Sequence, residues 1–275
     1  MKYLKMLFTI SLILLFPTAQ PTLYSMESEI DPRMVEEQLR SMKEASLLPT
    51  TADLTLRLKP EVRAFFSNST DIQKNVVTYS NFDKENDAKK HIQKMLEKNK
   101  PMIWWVTSHT QPSNMGQLLQ EKGFTPFPLA AIACSLDAVT LPEIALDDIM
   151  VIREMKTTDK EWQSIIREAF NHTDDTKKKE EQSFVKNYGL YSANELVCIG
   201  SLHIGDTWVG ISNLATKKTM RRRGFAKVFA THILKQLKES NIKTAVSMVV
   251  PESENLSKGF GFKKVFDLTM YYIQK

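Results

Sequence analysis

Leu214–Ala230 reads LATKKTMRRRGFAKVFA, and its centre, Arg221-Arg222-Arg223-Gly224-Phe225-Ala226, has the form of a basic turn that opens a helix. Ahead of it, Trp208–Ala215 is a run of strand-type residues. Behind it, Lys227–Glu239 carries Val228, Phe229, Ile233, Leu234 and Leu237 at helical spacing. At such a helix start the unpaired backbone N–H groups and the positive end of the helix dipole converge on one point, and a glycine lets a ligand approach the backbone closely. The stretch predicts an anion site.

The pattern continues on both sides. Lys243–Val250 (KTAVSMVV) reads as a second apolar strand, Asn255–Phe262 (NLSKGFGF) as a short helix running into Gly-Phe, and Val265–Ile273 (VFDLTMYYI) as a last strand. Upstream, Ile149–Glu154 predicts a strand, and Thr157–Phe170 a helix with Trp162, Ile165, Ile166 and Phe170 facing inward. Asn171–Gln182, dominated by KKKEE, reads as a solvated segment. Phe184–Tyr191 is expected to continue as helix, and Leu196–Ile204 to pair with Trp208–Ala215 across a Gly205-Asp206 hairpin turn.

The spacing Arg-x-x-Gly-x-Ala resembles the acyl-CoA pyrophosphate signature of the GNAT superfamily of N-acyltransferases, and the elements over Gly200–Lys275 stand in that family's order. The resemblance implies an α/β fold with a mixed central sheet flanked by helices. It also implies acetyl-CoA as co-substrate, held by Arg221, Arg222, Arg223, Gly224, Phe225 and Ala226, with Thr216 just before the loop either touching the cofactor or capping the loop. Phe225 and Ala226 should pack inward. In the family a neutral amine attacks the thioester directly, and a backbone N–H on the strand before the loop serves the oxyanion. Leu214 is the candidate for that amide. Relatives commonly carry Tyr four residues before the Gly-Phe glycine, where it protonates the departing thiolate; here that position is Ser257, whose pKa and reach are wrong for the task. Tyr188, Tyr191, Tyr271 and Tyr272 are possible substitutes, and Glu195, His203 and Asp206 are weak candidates for a general base. The departure leaves open a slow enzyme or an inactive acyl-CoA binder.

The first half predicts an amphipathic helix within Glu27–Leu48 (Met34, Val35, Leu39 and Met42 on one face), short segments at Leu54–Leu58 and Glu61–Phe66, and a strand at Asn75–Tyr79. A charged helix follows over Asp83–Lys98, with Ala88, Ile92, Met95 and Leu96 as its buried stripe. Then come an apolar strand at Pro101–Ser108, a short helix at Asn114–Lys122 closed by Gly123 in the left-handed position, and a strand at Leu129–Leu136. Trp104, Trp105, Val106, Pro112, Met115, Gly116, Gly123 and Phe124 resemble the degenerate first lobe of bacterial two-lobed GNAT-like proteins, with Met115 where Leu is usual. The Trp pair reads as core in a strand buried on both faces. No Arg-x-x-Gly-x-Ala occurs in this half, so the resemblance implies no CoA site there. The expected organisation is a first lobe at 26–137, a linker at 138–148 with Pro142, and an N-acetyltransferase domain at 149–275.

Length and composition agree with a globular protein of two lobes: 275 residues, 42% hydrophobic, 25% charged and net charge +5. The local excess at Lys217, Lys218 and Arg221–Arg223 could serve nucleic acid, but it lacks aromatic interleaving, and a cofactor with three phosphates accounts for the same charge. No specific nucleic-acid partner is expected; the partner is a small-molecule or peptide amine. Cys134 and Cys198 lie in apolar runs and read as buried reduced thiols, and the histidines at 91, 109, 172, 203 and 232 show no metal-ligand spacing. Residues 1–25 have a basic start, an apolar run at Met6–Phe16 and a Pro-containing tail, the form of a secretory signal. The run is too short to span a bilayer. Its cleavage site is poor and Met26 follows at once, so an over-extended start is the alternative, and use of acetyl-CoA favours the cytoplasm.

Overall fold

The computed structural model describes residues 30–47, 55–139, 141–144, 146–170 and 184–274; the expectations for residues 1–25 and for Asn171–Gln182 lie outside them. Asp31 starts the first helix, α1 (Pro32–Leu47), its carboxylate accepting from the Arg33 amide at 2.9 Å, with Pro32 at the first helical position, where no N–H is needed. The first half continues with β1 (Thr55–Lys59), β2 (Val62–Phe66), β3 (Val76–Ser80), α2 (Glu85–Leu96), β4 (Met102–Thr107), α3 (Met115–Glu121) and β5 (Thr125–Ser135). The second half comprises β6 (Met150–Met155), α4 (Lys160–Phe170), β7 (Val185–Ser192), β8 (Glu195–Ile204), β9 (Trp208–Thr216), α5 (Phe225–Lys238), β10 (Thr244–Val249), α6 (Glu254–Lys258) and β11 (Lys263–Ile273).

All eleven strands join one sheet in the order β1-β2-β3-β4-β11-β5-β10-β9-β8-β7-β6. Only β3/β4 and β9/β10 are parallel pairs, and each is bridged by its own helix, α2 or α5, because parallel neighbours need a crossover. The two halves interlock. β11, the last strand of the chain, runs between β4 and β5, while β5 runs between β11 and β10. Each half thus supplies a strand to the interior of the other.

Helices cover both faces, which is why the central strands read as continuous apolar runs. Trp104 and Trp105 show this directly: Trp104, 0% exposed, enters the core beneath α2 and α3, and Trp105 enters the core beneath α1 on the opposite face. Under α1, Val35, Leu39 and Met42 meet Ile103, Ala131, Val246 and Leu268, residues from both halves. Under α5, Phe229, Ile233, Leu234 and Leu237 pack on Ala130, Val197, Val209 and Ala245. α4 covers Ile199 and Ala215 with Trp162 and Ile165.

Gly123, at φ +87°, ends α3 as expected, with the Phe124 amide returning to the Leu119 carbonyl at 3.1 Å. Two expectations are corrected. Phe184–Tyr191 is not helix but lies largely in strand β7: Asn187 and Gly189 are buried in alternation, and a Cβ on Gly189 would come within 2.4 Å of the Met155 sulfur. The polar residues Lys186, Asn187 and Ser192 hide that two-residue period. Phe170 does not face inward but is 45% exposed at the end of α4, one turn beyond the stripe that Trp162 and Ile165 bury. In the 138–148 stretch, Val139 is buried and its carbonyl accepts from Lys238 Nζ at 2.9 Å, tying that stretch to α5.

Because β5 and β11 each lie inside the other half, neither half can lose its sheet while the other keeps it. Thermal unfolding followed by calorimetry is expected to show one cooperative transition. Two resolved transitions would contradict the interlock.

Candidate functional site

Parallel pairing of β9 with β10 runs only from Trp208↔Thr244 to Ile211↔Ser247. At the last rung the Ser247 hydroxyl donates to the Ile211 carbonyl at 2.8 Å, and from there Ser212–Thr216 on one side and Met248–Val249 on the other have no ladder between them. The strands part at their C-terminal ends, the side on which ligands enter parallel sheets. At the same point β9 bulges. Its register against β8 passes from Ser201↔Ser212 to Ile199↔Ala215, which leaves Asn213 and Leu214 sharing a single partner residue, Gly200.

A chain of side chains holds that bulge. Asn213 sits at φ +55°, a left-handed conformation that Asn tolerates, and its amide donates to Ser201 Oγ at 3.0 Å. Ser201, 1% exposed, in turn donates to Asn187 Oδ1 at 2.7 Å. One rung away His203 Nε2 lies 2.9 Å from Ser212 Oγ, while its Nδ1 is buried without a partner. Burial drives the His203 pKa down to about 4, so the ring is neutral.

Past Thr216 the chain is pinned at three places. The Lys217 amide donates to the Val197 carbonyl at 3.0 Å, the Lys218 amide to Glu168 of α4 at 3.0 Å, and the Arg221 guanidinium reaches back to the Thr216 carbonyl at 3.1 Å. Arg222 at φ +64° and Gly224 at φ +86° then turn the backbone into α5. Among the described residues the amides of Arg222 through Lys227 donate to no backbone carbonyl; the first return bond of the helix comes from Val228. The first turn of α5 holds no acidic residue, and Arg221, Arg222 and Arg223 are exposed around it. Phe225 and Ala226 pack on the core below, as expected, which leaves their amides at the surface of the turn. A Cβ on Gly224 would meet no protein atom within 4 Å, so the space above it is open.

The parallel pair of the first half is built the other way. β3 and β4 share only the rungs Val76↔Ile103 and Val77↔Trp104, and the gap beyond them is filled. Trp104 Nε1 bonds Ser80 Oγ across it at 2.9 Å. From α1, Glu44 accepts from Thr78 at 2.7 Å, Glu36 accepts from Thr107 at 3.2 Å, and the Arg40 guanidinium lies 4.6 Å from the Tyr79 ring centre. Burial raises the Glu44 pKa against the pull of that Thr78 bond. The helix after β3 carries Glu85 and Asp87 in its first turn, which opposes an anion there. The turn after β9 is basic, with open space above Gly224, whereas side chains cross the gap after β3 and acidic residues stand at its helix start.

Of the residues singled out from sequence, Arg221–Ala226 form one turn, and Leu214 stands at the bulge that faces it along β9. The Thr216 hydroxyl points to Cys198 Sγ of the neighbouring strand at 3.7 Å. Ser257 donates to the Ser253 carbonyl at 3.3 Å within its own short helix. Glu195 pairs with Lys217 at 2.5 Å beside the loop, whereas Asp206 is exposed in the turn at the opposite end of β9. Tyr271 packs over Gly116 and Tyr272 in the α1 core, both in the first half; Tyr191 packs beside α4, and Tyr188 rests on the α5 core. Asn187, Ser201, Ser212 and Asn213 were not anticipated. The signal of Ser201, Ser212 and Asn213 was present as polar residues interrupting the apolar runs LVCIGSLHI and WVGISNLAT, whereas Asn187 lies in the mixed run VKNYGLYS.

No protein-family model matches the sequence, and no curated protein matches it. Solved structures do. A GCN5-related N-acetyltransferase from Kribbella flavida superposes with TM-score 0.65 at 12% identity, over 90% of this chain and 97% of that one. A GCN5-related N-acetyltransferase from Sphaerobacter thermophilus gives 0.58 at 11%, over 88% and 93%. A tandem GNAT protein from the clavulanic acid biosynthesis pathway gives 0.56 at 9%, over 95% and 91%. The chain has the GNAT fold over most of its length.

Two measurements test this geometry. Cys134 and Cys198, both held at a pKa of about 12 by burial, are expected to resist thiol reagents at neutral pH until the protein unfolds. His203 is depressed from 6.5 to about 4, so the folded state refuses a proton that the unfolded state accepts. Its contribution is complete above pH 6.5 and is lost as pH falls toward 4; the loss is about 3 kcal/mol, at roughly 1.4 kcal/mol per pKa unit. Urea unfolding at stepped pH is expected to show this slope, and His203→Gln to flatten it.

Proposed function

We propose that the protein is an acetyl-CoA-dependent N-acetyltransferase whose cofactor lies in the gap between β9 and β10, with its pyrophosphate on the amides of Arg222–Lys227. The observation that carries this reading is the contrast between the two parallel pairs: only the second is open, faces a helix start with unpaired amides, and is ringed by arginines. An anion with several negative charges fits that turn through backbone donors, the helix dipole and charge-assisted bonds together.

When bound, acetyl-CoA supplies an activated acyl group. The chain contributes placement. The loop fixes one end of the cofactor and the parted strands fix its direction. The bulge takes Leu214 out of one-to-one register with β8, and its amide is the candidate donor for developing negative charge on a carbonyl oxygen. Orientation of two substrates in a single cleft accounts for much of such a rate, and no nucleophilic side chain is needed. The acceptor is a small-molecule or peptide amine.

A weakly active or non-catalytic acyl-CoA binder is the second reading, and one observation favours it: Ser257 spends its hydroxyl on the Ser253 carbonyl. Turnover with a panel of amines separates the two readings.

Titration calorimetry is expected to give one acetyl-CoA site per chain; two equivalent sites would refute the contrast between the gaps. Gly224→Val places branched atoms in the open space above the turn and strains a left-handed residue by about 1–3 kcal/mol. The expected outcome is a folded protein with acetyl-CoA affinity down by more than about tenfold, since both effects act on the cradle. Unchanged affinity would place the cofactor elsewhere. Ser257→Ala is expected to change the transfer rate less than about tenfold, because a true general acid is worth roughly a hundredfold or more.

A further inference from the structure

The face of the sheet beneath α1 and α4 carries an uncharged polar row beside the bulge. In register across the strands stand Met155 of β6, Asn187 of β7, Ser201 of β8 and Ser212 of β9, with Asn213 folded back onto Ser201 and His203 one rung above. α1 covers the neighbouring positions, for a Cβ on Gly210 would come within 2.5 Å of the Met42 sulfur. α4 covers the positions on the other side, Ile199 and Ala215. Between them Ser212 is half-buried and Asn213 exposed, although β9 is an interior strand of the sheet.

The hydrogen bonds leave one group of this row in reserve. An unmet buried acceptor costs less than an unmet buried donor, so the favoured His203 tautomer keeps its lone pair on the unpartnered Nδ1 and donates Nε2–H to Ser212. The Ser212 oxygen is thereby oriented, and its own hydroxyl hydrogen is free to point into the opening between the strands. Ser201 and Asn187, by contrast, are committed to holding the bulge.

We infer that Ser212, oriented by His203, is the anchor of the acceptor amine, and that the acceptor carries neutral hydrogen-bonding groups beside its nitrogen, as amino alcohols and amino sugars do. The inference rests on the acetyltransferase reading above. Its reasoning is complementarity: no carboxylate, lysine or arginine stands in the row, so a polyamine or an acidic amine finds no opposite charge there. A purely apolar amine would leave the Ser212 hydroxyl unmet, which costs more than a missing apolar contact. Ser212 touches the substrate, whereas His203 acts through Ser212 and is a positioning residue.

The test compares glucosamine with cyclohexylamine, and adds spermidine and tryptamine, using full-length protein saturated with acetyl-CoA. Wild type is expected to favour glucosamine over cyclohexylamine by at least about tenfold in kcat/KM, and Ser212→Ala to raise the glucosamine KM by about tenfold with kcat nearly unchanged. Acetyl-CoA affinity, measured by calorimetry in the same variants, is expected to stay at the wild-type value. His203→Leu should reproduce most of the Ser212→Ala effect, and His203→Gln should restore the KM, because its carboxamide N–H reaches the place of Nε2. Preference for cyclohexylamine, spermidine or tryptamine, or a Ser212→Ala protein with wild-type KM, overturns the inference while leaving acetyl transfer standing. A wild-type protein that binds acetyl-CoA but neither binds nor acetylates glucosamine overturns the inference, whereas one that binds no acetyl-CoA overturns the acetyltransferase reading.

Discussion

The bond from the Ser247 hydroxyl to the Ile211 carbonyl closes the last rung between β9 and β10, and what makes the second half a site lies beyond it. Had the two strands stayed paired to their ends, the carbonyls and amides of Ser212–Thr216 would be consumed in a ladder and no ligand could lie between them. Parting them exposes backbone in the middle of a sheet, which is costly unless something else satisfies it. The protein meets part of that cost with the bulge at Asn213–Leu214, stabilised by the Ser201 and Asn187 side chains. The rest stays available to a bound molecule. Stability is given up where binding can return it.

Interlocking the halves supplies the rigidity that such an opening requires. β10, one wall of the gap, is backed along its full length by β5 of the first half, from Thr244↔Ser135 to Val249↔Ala130. β5 is backed by β11 and β11 by β4, so the wall continues to the first half's own core. Met42 of α1 reaches Gly210 on the other wall, β9. The first half thus backs both walls of the gap in the second, β10 through β5 and β9 through Met42.

Much of this was legible in the sequence wherever a residue's reason is local. The arginine-glycine turn, the left-handed Gly123, the stripe of α5 and the two-faced burial of Trp104-Trp105 each follow from spacing and backbone chemistry within a few residues. β7 was not legible, because Asn187 is buried for the sake of Ser201 on another strand and so breaks the alternation a strand would show. The exchange of β5 and β11 was not legible either: a strand's neighbours are decided by pairing across more than a hundred residues, and both strands are apolar enough to sit anywhere in an interior. The site's polar row was hidden for the same reason. Asn, Ser and His scattered through apolar runs look like tolerated defects until the register brings them side by side.

The two halves also show how little chemistry separates a binding site from a plug. Both begin with a parallel pair that parts after a few rungs and a helix that starts just beyond. In the first half, Glu36, Arg40 and Glu44 of α1 enter the space and Glu85 and Asp87 stand at the helix start. In the second, α1 presents the apolar Met42 instead, and the helix start is reached through Arg221, Arg222, Arg223 and a glycine. A charged network lies across the first gap, with Glu44 and Glu36 accepting from the Thr78 and Thr107 hydroxyls. Among the described residues the second gap has no such network, and the amides of Arg222–Lys227 donate to no backbone carbonyl. The asymmetry resides in side chains laid on one backbone plan, which the fold alone does not reveal.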